Sequence, residues 1–521
     1  MIPEAAVKAY LKRSLDDHLW VKELSAEQLD VEIASLVPRP NLNPKLRVHQ
    51  RACFLIGVAR PQFCYWLDMG VGKTILSLEL LRYWFQCGVI KRALIFVTSD
   101  KAFDTWEKQL KRFEIDLPLV ALAGSSEQKW KQLEEAEDGL VLVPYPGALA
   151  MVCDRVQSKG KQKFKLNRKK LEKLSQWGNA IVLDESTRVG SHNSASFKMV
   201  EWLRDRAKVR YALAGRPFGR DPTMLWAQHY LIDGGETLGE TLGLFRAAFF
   251  TEKPSFWGGP YSKEYTFKDK LKPQLAQMIR HRSITYAAAE CIDMPKVVPI
   301  REVVAFSGEA QQYYERVVKQ VIAARGNLRE MKNAFLRMRQ ISSGFVGFKT
   351  DDENSERVEI EFQENPKLER LLELVEEVPE GSGACVFYAY THSGRRIVKE
   401  LKALGHKPIW LWSGTKDSKA ELARFAKSER PIAVLQNQIG SMSIDGLQHH
   451  ANYCFFYESA VGVIDREQAE RRLVRDGQEK TVFLYDLICE GTVDEKVLDF
   501  HLDGEDLMKA LLRNPEKVLL S

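Results

Sequence analysis

The residues Gly70-Val71-Gly72-Lys73-Thr74 place two glycines, an ammonium and a hydroxyl within five positions. Glycine permits the backbone turns that aim successive N–H groups at one anion, and a helix starting there adds its dipole at the same point. Lys73 is then placed to contact the outer phosphates of a nucleotide, and Thr74 to hold Mg²⁺. The general phosphate-loop template has a leading glycine where Leu67 stands. Further along, Asp184-Glu185 follows the apolar run Ala180-Ile181-Val182-Leu183. One carboxylate at a strand end can reach a Mg²⁺-bound water, while its neighbour orients or deprotonates the attacking water. Asp184 is the expected metal-side residue and Glu185 the hydrolytic one. Far downstream, Arg472 and Arg475 lie three apart, on one face if their segment is helical. Two guanidinium groups aimed at a γ-phosphate stabilise the charge of phosphoryl transfer. Gln478, after Gly477, is expected near the same nucleotide cleft.

These groups need elements to hold them. Phe63-Cys64-Tyr65-Trp66-Leu67 reads as a strand and Thr74-Ile75-Leu76-Ser77-Leu78 as the start of a helix, so the glycine loop joins the two. Apolar, β-branched runs recur at Ala93–Val97, Leu140–Val143 and Ala180–Leu183, with helical patterns at Ile75–Phe85 and Lys101–Phe113 among them. This alternation predicts an α/β fold with a mostly parallel sheet covered by helices. A second such pattern begins near Lys367, with strands expected at Ala384–Tyr388, Ile409–Leu411, Ile432–Leu435, Tyr453–Tyr457 and Val482–Leu487. Residues 307–340 read as helical, with Leu328, Met331, Phe335, Leu336 and Met338 as packing positions, and 351–366 as an acidic surface connection. The expected organisation is a helical extension over 1–44, a first lobe over 45–285, a helical protrusion and linker over 286–364, and a second lobe over 365–521.

A chain of 521 residues has room for two sizeable cores, and 45% apolar with 28% charged residues is an ordinary globular composition. No apolar run approaches the length of a bilayer span, and early acids with no secretory core make a cytoplasmic location the expectation. Eight scattered cysteines form no Cys-x-x-Cys pair, so neither structural zinc nor a disulfide framework is expected. The net charge of +6 permits an anionic partner. Its distribution is more telling: from Asp154 to Leu174 nine Lys and Arg stand against two acids. Lys159, Lys161 and Lys163 are therefore candidates for sequence-independent contact with a nucleic-acid backbone, a solvated face being the competing reading.

Taken in order, these segments resemble the SNF2/SWI2 group of superfamily 2 ATPases, from about Leu46 to about Val497. Leu46-Arg47-Val48-His49-Gln50 resembles the family's opening, in which Gln50 is implied to recognise adenine. The family's phosphate loop lacks the leading glycine, which accounts for Leu67. Its Asp-Glu-x-His becomes Asp184-Glu185-Ser186-Thr187, without the histidine. Thr98 and Ser99, with Trp106, resemble the first DNA-facing motif, and Tyr145 the segment after it. Leu213-Ala214-Gly215-Arg216-Pro217 resembles Thr-Gly-Thr-Pro with Arg216 for a small hydroxyl residue, and Leu225-Trp226 follows. Lys367 and Leu368 stand where the second lobe opens, and Gly491-Thr492-Val493-Asp494 follows its last strand. Gly440 and Ser441 open a fifth motif in which serines replace two glycines, and Gln468 to Gln478 resembles the sixth.

The resemblance implies two RecA-like lobes that use ATP and Mg²⁺ to step along double-stranded DNA, with a protein bound to that DNA as the target. The compact form resembles bacterial or bacteriophage members, and a monomer is expected. The alternatives are a strand-separating DNA or RNA helicase and a catalytically degenerate nucleic-acid-binding protein.

Overall fold

The computed structural model describes residues 2–158, 161–218, 222–254, 263–306, 308–323, 328–348, 358–437 and 444–503. The chain divides into two units, the first formed by Met1–Ile292 and the second beginning at Asp293.

The strands of the first unit are β1 (Gln62–Leu67), β2 (Ala93–Val97), β3 (Leu119–Ala121), β4 (Leu140–Pro144), β5 (Cys153–Ser158), β6 (Lys161–Leu166), β7 (Ala180–Leu183), β8 (Val209–Ala214), β9 (Phe250–Pro254), β10 (Lys263–Phe267) and β11 (Ser283–Tyr286). Seven form one sheet in the order β11-β1-β8-β7-β2-β4-β3, and every neighbouring pair is parallel. Parallel strands require crossovers that cover the faces of the sheet, so β2, β4 and β7 are buried throughout rather than alternating. In such a sheet all strands end on the same side. The loops after β1, β8, β7 and β2 therefore come together, and each carries one of the expected motifs. The pairs β5–β6 and β9–β10 are antiparallel hairpins outside the sheet.

β8 went unread as a strand because Arg210 interrupts its apolar run. Folding accommodates the arginine: its guanidinium donates to the carbonyls of Arg204, Ala207 and Ile232 at 2.9, 3.0 and 2.6 Å.

The N-terminal residues brace the first unit. Tyr10 is buried in that unit's core and its hydroxyl donates to Leu238 O at 3.1 Å. Arg13 donates to Thr237 O at 2.6 Å, Gln274 donates to Leu11 O, and the His281 ring bonds Asp16 O at 2.9 Å. Farther along, Asn43 donates to Phe113 O at 2.9 Å and Gln86 to Arg39 O at 2.9 Å.

The second unit contains β12 (Val297–Val304), β13 (Phe345–Phe348), β14 (Val358–Glu361), β15 (Ala384–Tyr388), β16 (Ile409–Leu411), β17 (Ile432–Gln436), β18 (Tyr453–Phe456) and β19 (Val482–Cys489). Six form a second parallel sheet in the order β12-β19-β18-β15-β17-β16. Its edge strand β12 lies within the span assigned above to a protrusion and linker, and pairs with β19 from Val297↔Val482 to Val304↔Cys489. The second sheet thus starts well ahead of residue 365. β12 contains Pro299 and Arg301 and alternates in burial as an edge strand does, so no continuous apolar run marks it. The helices Gly308–Ala323 and Leu328–Ile341 follow. Met331, Phe335 and Met338 are buried as expected, whereas Leu336 is 40% exposed.

Lys367 and Asp494, distant in sequence, meet as a buried ion pair of 2.5 Å, and Ser342 donates to the other Asp494 oxygen at 3.0 Å. Among the described residues, no helix is long and apolar enough to cross a membrane.

Candidate nucleotide site

The loop after β1 is shaped by its glycines. Gly70 and Gly72 have φ of 85° and 90°, and Gly72 immediately precedes the helix Lys73–Gln86. A Cβ on Gly72 would also lie 2.1 Å from Gln50 Nε2, so a larger residue meets both an unfavourable backbone conformation and an amide that must move aside. Gln50 holds this loop from the helix Val48–Ala59. Its Nε2 donates to Val71 O at 3.0 Å and its Oε1 accepts from Arg47 N at 2.9 Å, while His49 Nε2 bonds the same Val71 carbonyl at 2.9 Å. The residue expected at adenine thus has its amide nitrogen on the Val71 carbonyl and its amide oxygen on Arg47 N at the start of its own helix. Thr74 lies in the first turn of the helix, and Lys73 Nζ donates to Leu67 O at 3.0 Å. Gly215, after β8, closes on the same point: a Cβ there would sit 3.9 Å from Lys73 Nζ.

Asp184 follows β7, separated from β1 by β8 alone. Glu185 N donates to its Oδ1 at 3.1 Å, Trp106 Nε1 donates to its Oδ2 at 3.4 Å, and Tyr145 Oη donates to its carbonyl at 3.0 Å. Burial and the neighbouring Glu185 charge raise the Asp184 carboxyl to about 6, against the opposing pull of Lys73 and the Trp106 bond. A desolvated carboxylate of this kind gains from a cation beside it. Glu185 has φ of 49° and ψ of 57°, a left-handed conformation uncommon outside glycine. Ser186, fully buried, donates to Gln228 Oε1 at 2.6 Å.

The expected nucleic-acid residues fare differently. Thr98 and Ser99 follow β2 and are partly exposed. Tyr145 is 3% exposed, stacks on Phe96 at 5.6 Å between ring centroids, and bonds Asp184 O. It belongs to the acid pair's support rather than to a surface. Trp106, likewise buried, joins it there. Lys159, Gly440 and Ser441 lie outside the described residues. Lys161 and Lys163 fall on β6, whose backbone pairs with β5, and their side chains lie outside the described set.

In the second unit, the helix Val463–Glu470 ends before the two arginines, so Arg472 and Arg475 occupy the turn after it instead of one helical face. Arg472 donates to Ile444 O at 3.2 Å and lines a small cavity with Phe387, Asn437, Ile444 and Gln468. Arg475 pairs with Asp445 at 2.8 Å. Gln478 is buried, donates to Ala451 O at 2.8 Å and accepts from Lys480 N at 3.0 Å, so its amide orders the turn. Sequence reasoning passed over Arg466, which is buried and donates to Asp486 Oδ2 at 2.9 Å and Glu470 Oε1 at 2.7 Å. Its spacing of four from Glu470 was the available signal.

Among the described residues, no three His, Cys, Asp or Glu side chains form a metal-binding group. Mg²⁺ in nucleotide sites ordinarily takes one or two protein oxygens and completes its shell with phosphates and water. Asp184 with Thr74 is a donor set of that type, and the raised Asp184 carboxyl fits it.

A family model described as the SNF2-related domain matches residues 67–349. YwqA of Bacillus subtilis (strain 168), a proposed ATP-dependent helicase/translocase, is 22% identical over 447 residues, covering 82% of this chain and 44% of its own length. The chain thus spans less than half of that relative. Protein p41 of Acyrthosiphon pisum secondary endosymbiont phage 1 is 24% identical over 460 residues, covering 83% of this chain and 90% of its own. The solved Sulfolobus solfataricus SWI2/SNF2 ATPase core in complex with dsDNA is 19% identical with a TM-score of 0.39, covering 92% of this chain and 96% of that one. The family model takes in more than half of the 521 residues, and on that match the chain belongs to the SNF2-related domain family.

Proposed function

We propose that this chain is a DNA-dependent ATPase that hydrolyses ATP to ADP and phosphate and translocates along double-stranded DNA, remodelling or displacing a protein bound there. The observation that carries the hydrolytic part is the grouping of Lys73, Gly215, Asp184 and Glu185 after the adjacent strands β1, β8 and β7. Family membership and the helicase/translocase name carried by the Bacillus relative support the motor part.

In this reading the N–H groups of Gly70, Val71 and Gly72 and the Lys73 ammonium bind the phosphates. Thr74 and Asp184 would hold Mg²⁺, which when bound neutralises phosphate charge and polarises the γ-phosphoryl group. Glu185 orients the attacking water and accepts its proton. Arg472 and Arg475 are assigned the stabilisation of phosphoryl-transfer charge that the family resemblance implies for them. Gln50 and Gln478 act as supports of the phosphate loop and of the arginine turn. Thr98, Ser99, Gly440, Ser441, Lys159, Lys161 and Lys163 are assigned to the DNA backbone, where contacts position the duplex without reading sequence.

ATP turnover by wild type and Glu185→Gln, measured in parallel without nucleic acid and with duplex DNA, single-stranded DNA and RNA, tests this. Stimulation by duplex that the substitution abolishes is the expected result. Preference for a single strand or RNA would move the assignment to a strand-separating helicase. No Glu185-dependent turnover under any condition would leave a degenerate binding protein.

A further inference from the structure

The altered acid motif, Asp184-Glu185-Ser186-Thr187, is tied to the segment Leu213–Pro217 through one buried amide. Ser186 and Gln228 are both 0% exposed, and Ser186 Oγ donates to Gln228 Oε1 at 2.6 Å. Gln228, on the helix Thr223–Asp233, has its Nε2 donating to Pro217 O and, at 3.0 Å, to Met224 O. With the amide nitrogen committed to two carbonyls, its oxygen is the end left to accept from Ser186. Each partner has its own consequence. Ser186 directly follows Glu185, whose left-handed backbone persists only where its surroundings hold it. Pro217 closes the segment in which Gly215 approaches Lys73 Nζ. One side chain therefore spans from the turn presenting the hydrolytic carboxylate to the segment flanking the phosphate-binding lysine.

We propose that Gln228 is a positioning residue for ATP hydrolysis: through Ser186 and Pro217 it fixes the Glu185 turn relative to the Lys73 side of the site. The inference rests on the ATPase reading above. Gln228 contacts neither nucleotide nor water in this scheme, so its loss should lower turnover while leaving nucleotide binding intact. An apolar residue of similar size cannot replace it, since both carbonyls and the Ser186 hydroxyl would lose a buried partner.

The test is steady-state ATP hydrolysis with saturating duplex DNA for wild type, Gln228→Leu, Ser186→Ala, the double variant and Ser186→Thr, with melting temperatures for each. Each of the first two is expected to lower kcat about 10-fold or more with KM within about 2-fold, because the Glu185 carboxylate whose turn is loosened acts in the hydrolytic step and not in binding nucleotide. The double variant should be no worse than the poorer single, since both break one link. Ser186→Thr, which keeps the hydroxyl, should stay within about 2-fold of wild type in kcat. If Gln228→Leu does not fold, Ser186→Ala, which removes one oxygen, carries the comparison with Ser186→Thr. Lower melting temperatures with unchanged kcat, or single losses that multiply in the double variant, would overturn the proposal and leave the ATPase reading standing. Absence of Glu185-dependent turnover in the wild type would sink both.

Discussion

Gly72→Ala offers the most direct test of how the phosphate loop is built. Two separate costs are legible at this position. The φ of 90° falls in the region where a Cβ is disfavoured, at about 1–2 kcal/mol for an alanine. The new Cβ would also lie 2.1 Å from Gln50 Nε2, so that amide must move away from Val71 O and from Arg47 N. Loss of two such bonds costs about 1–2 kcal/mol more. Gly72→Ala is therefore expected to destabilise the first unit by roughly 2–4 kcal/mol. Gln50→Ala alone should cost about 1–2 kcal/mol, from the same two bonds. In the double variant the steric conflict is gone, so alanine at 72 adds only the backbone cost. The expected coupling is about 1–2 kcal/mol, the size of the bonds counted once instead of twice. Urea unfolding followed by tryptophan fluorescence for the four proteins measures it, with titration of a fluorescent ATP analogue reporting nucleotide affinity. Equal costs of Gly72→Ala in both backgrounds would refute the Gln50 contact. A cost below about 0.5 kcal/mol in the Gln50→Ala background would refute the backbone argument.

Tyr145→Phe should reduce ATP turnover about 3- to 10-fold through loss of one hydrogen bond to Asp184 O, while duplex affinity in a salt-matched titration stays within about 2-fold. A selective loss of DNA affinity would instead return Tyr145 to the nucleic-acid surface. His229 is fully buried, its ring nitrogens have no partner among the described residues, and burial lowers its pKa to about 4. The unfolded chain takes up a proton below about 6.5 that the folded protein refuses, so stability falls as pH drops from there toward about 4. Wild type should lose about 1.4 kcal/mol more than His229→Leu between pH 7.5 and 5.5, and identical losses in the two proteins would argue against a neutral buried ring.

Much of the architecture was legible because its signals are local. Short apolar runs rich in β-branched and aromatic residues after a polar break, as at Ala93–Val97 or Ala384–Tyr388, read as strands because a parallel sheet buries both faces. Gly70, Gly72, Lys73 and Thr74 are neighbours in the chain, so their chemistry could be read without knowing what packs on them. The acid pair was legible for the same reason: a strand end and two carboxylates are adjacent residues. β12 and β8 were not, because Pro299, Arg301 and Arg210 break the apolar pattern and are tolerated only by an exposed edge or by carbonyls supplied from other segments.

What tertiary structure alone decided is the partner of each buried polar group. The family resemblance implied adenine as the partner of Gln50, and Gln478 was expected at the same cleft; the fold sets Val71 O and Ala451 O against their amide nitrogens, and a buried amide must satisfy such groups. Tyr145 and Trp106 turn inward to Asp184, and Ser186 finds Gln228, across separations that no local pattern encodes. Residue type and spacing determined which chemistry the chain carries. Which of those side chains remain for the nucleotide, and which are taken up in holding the others in place, depended on the segments that folding brings beside them.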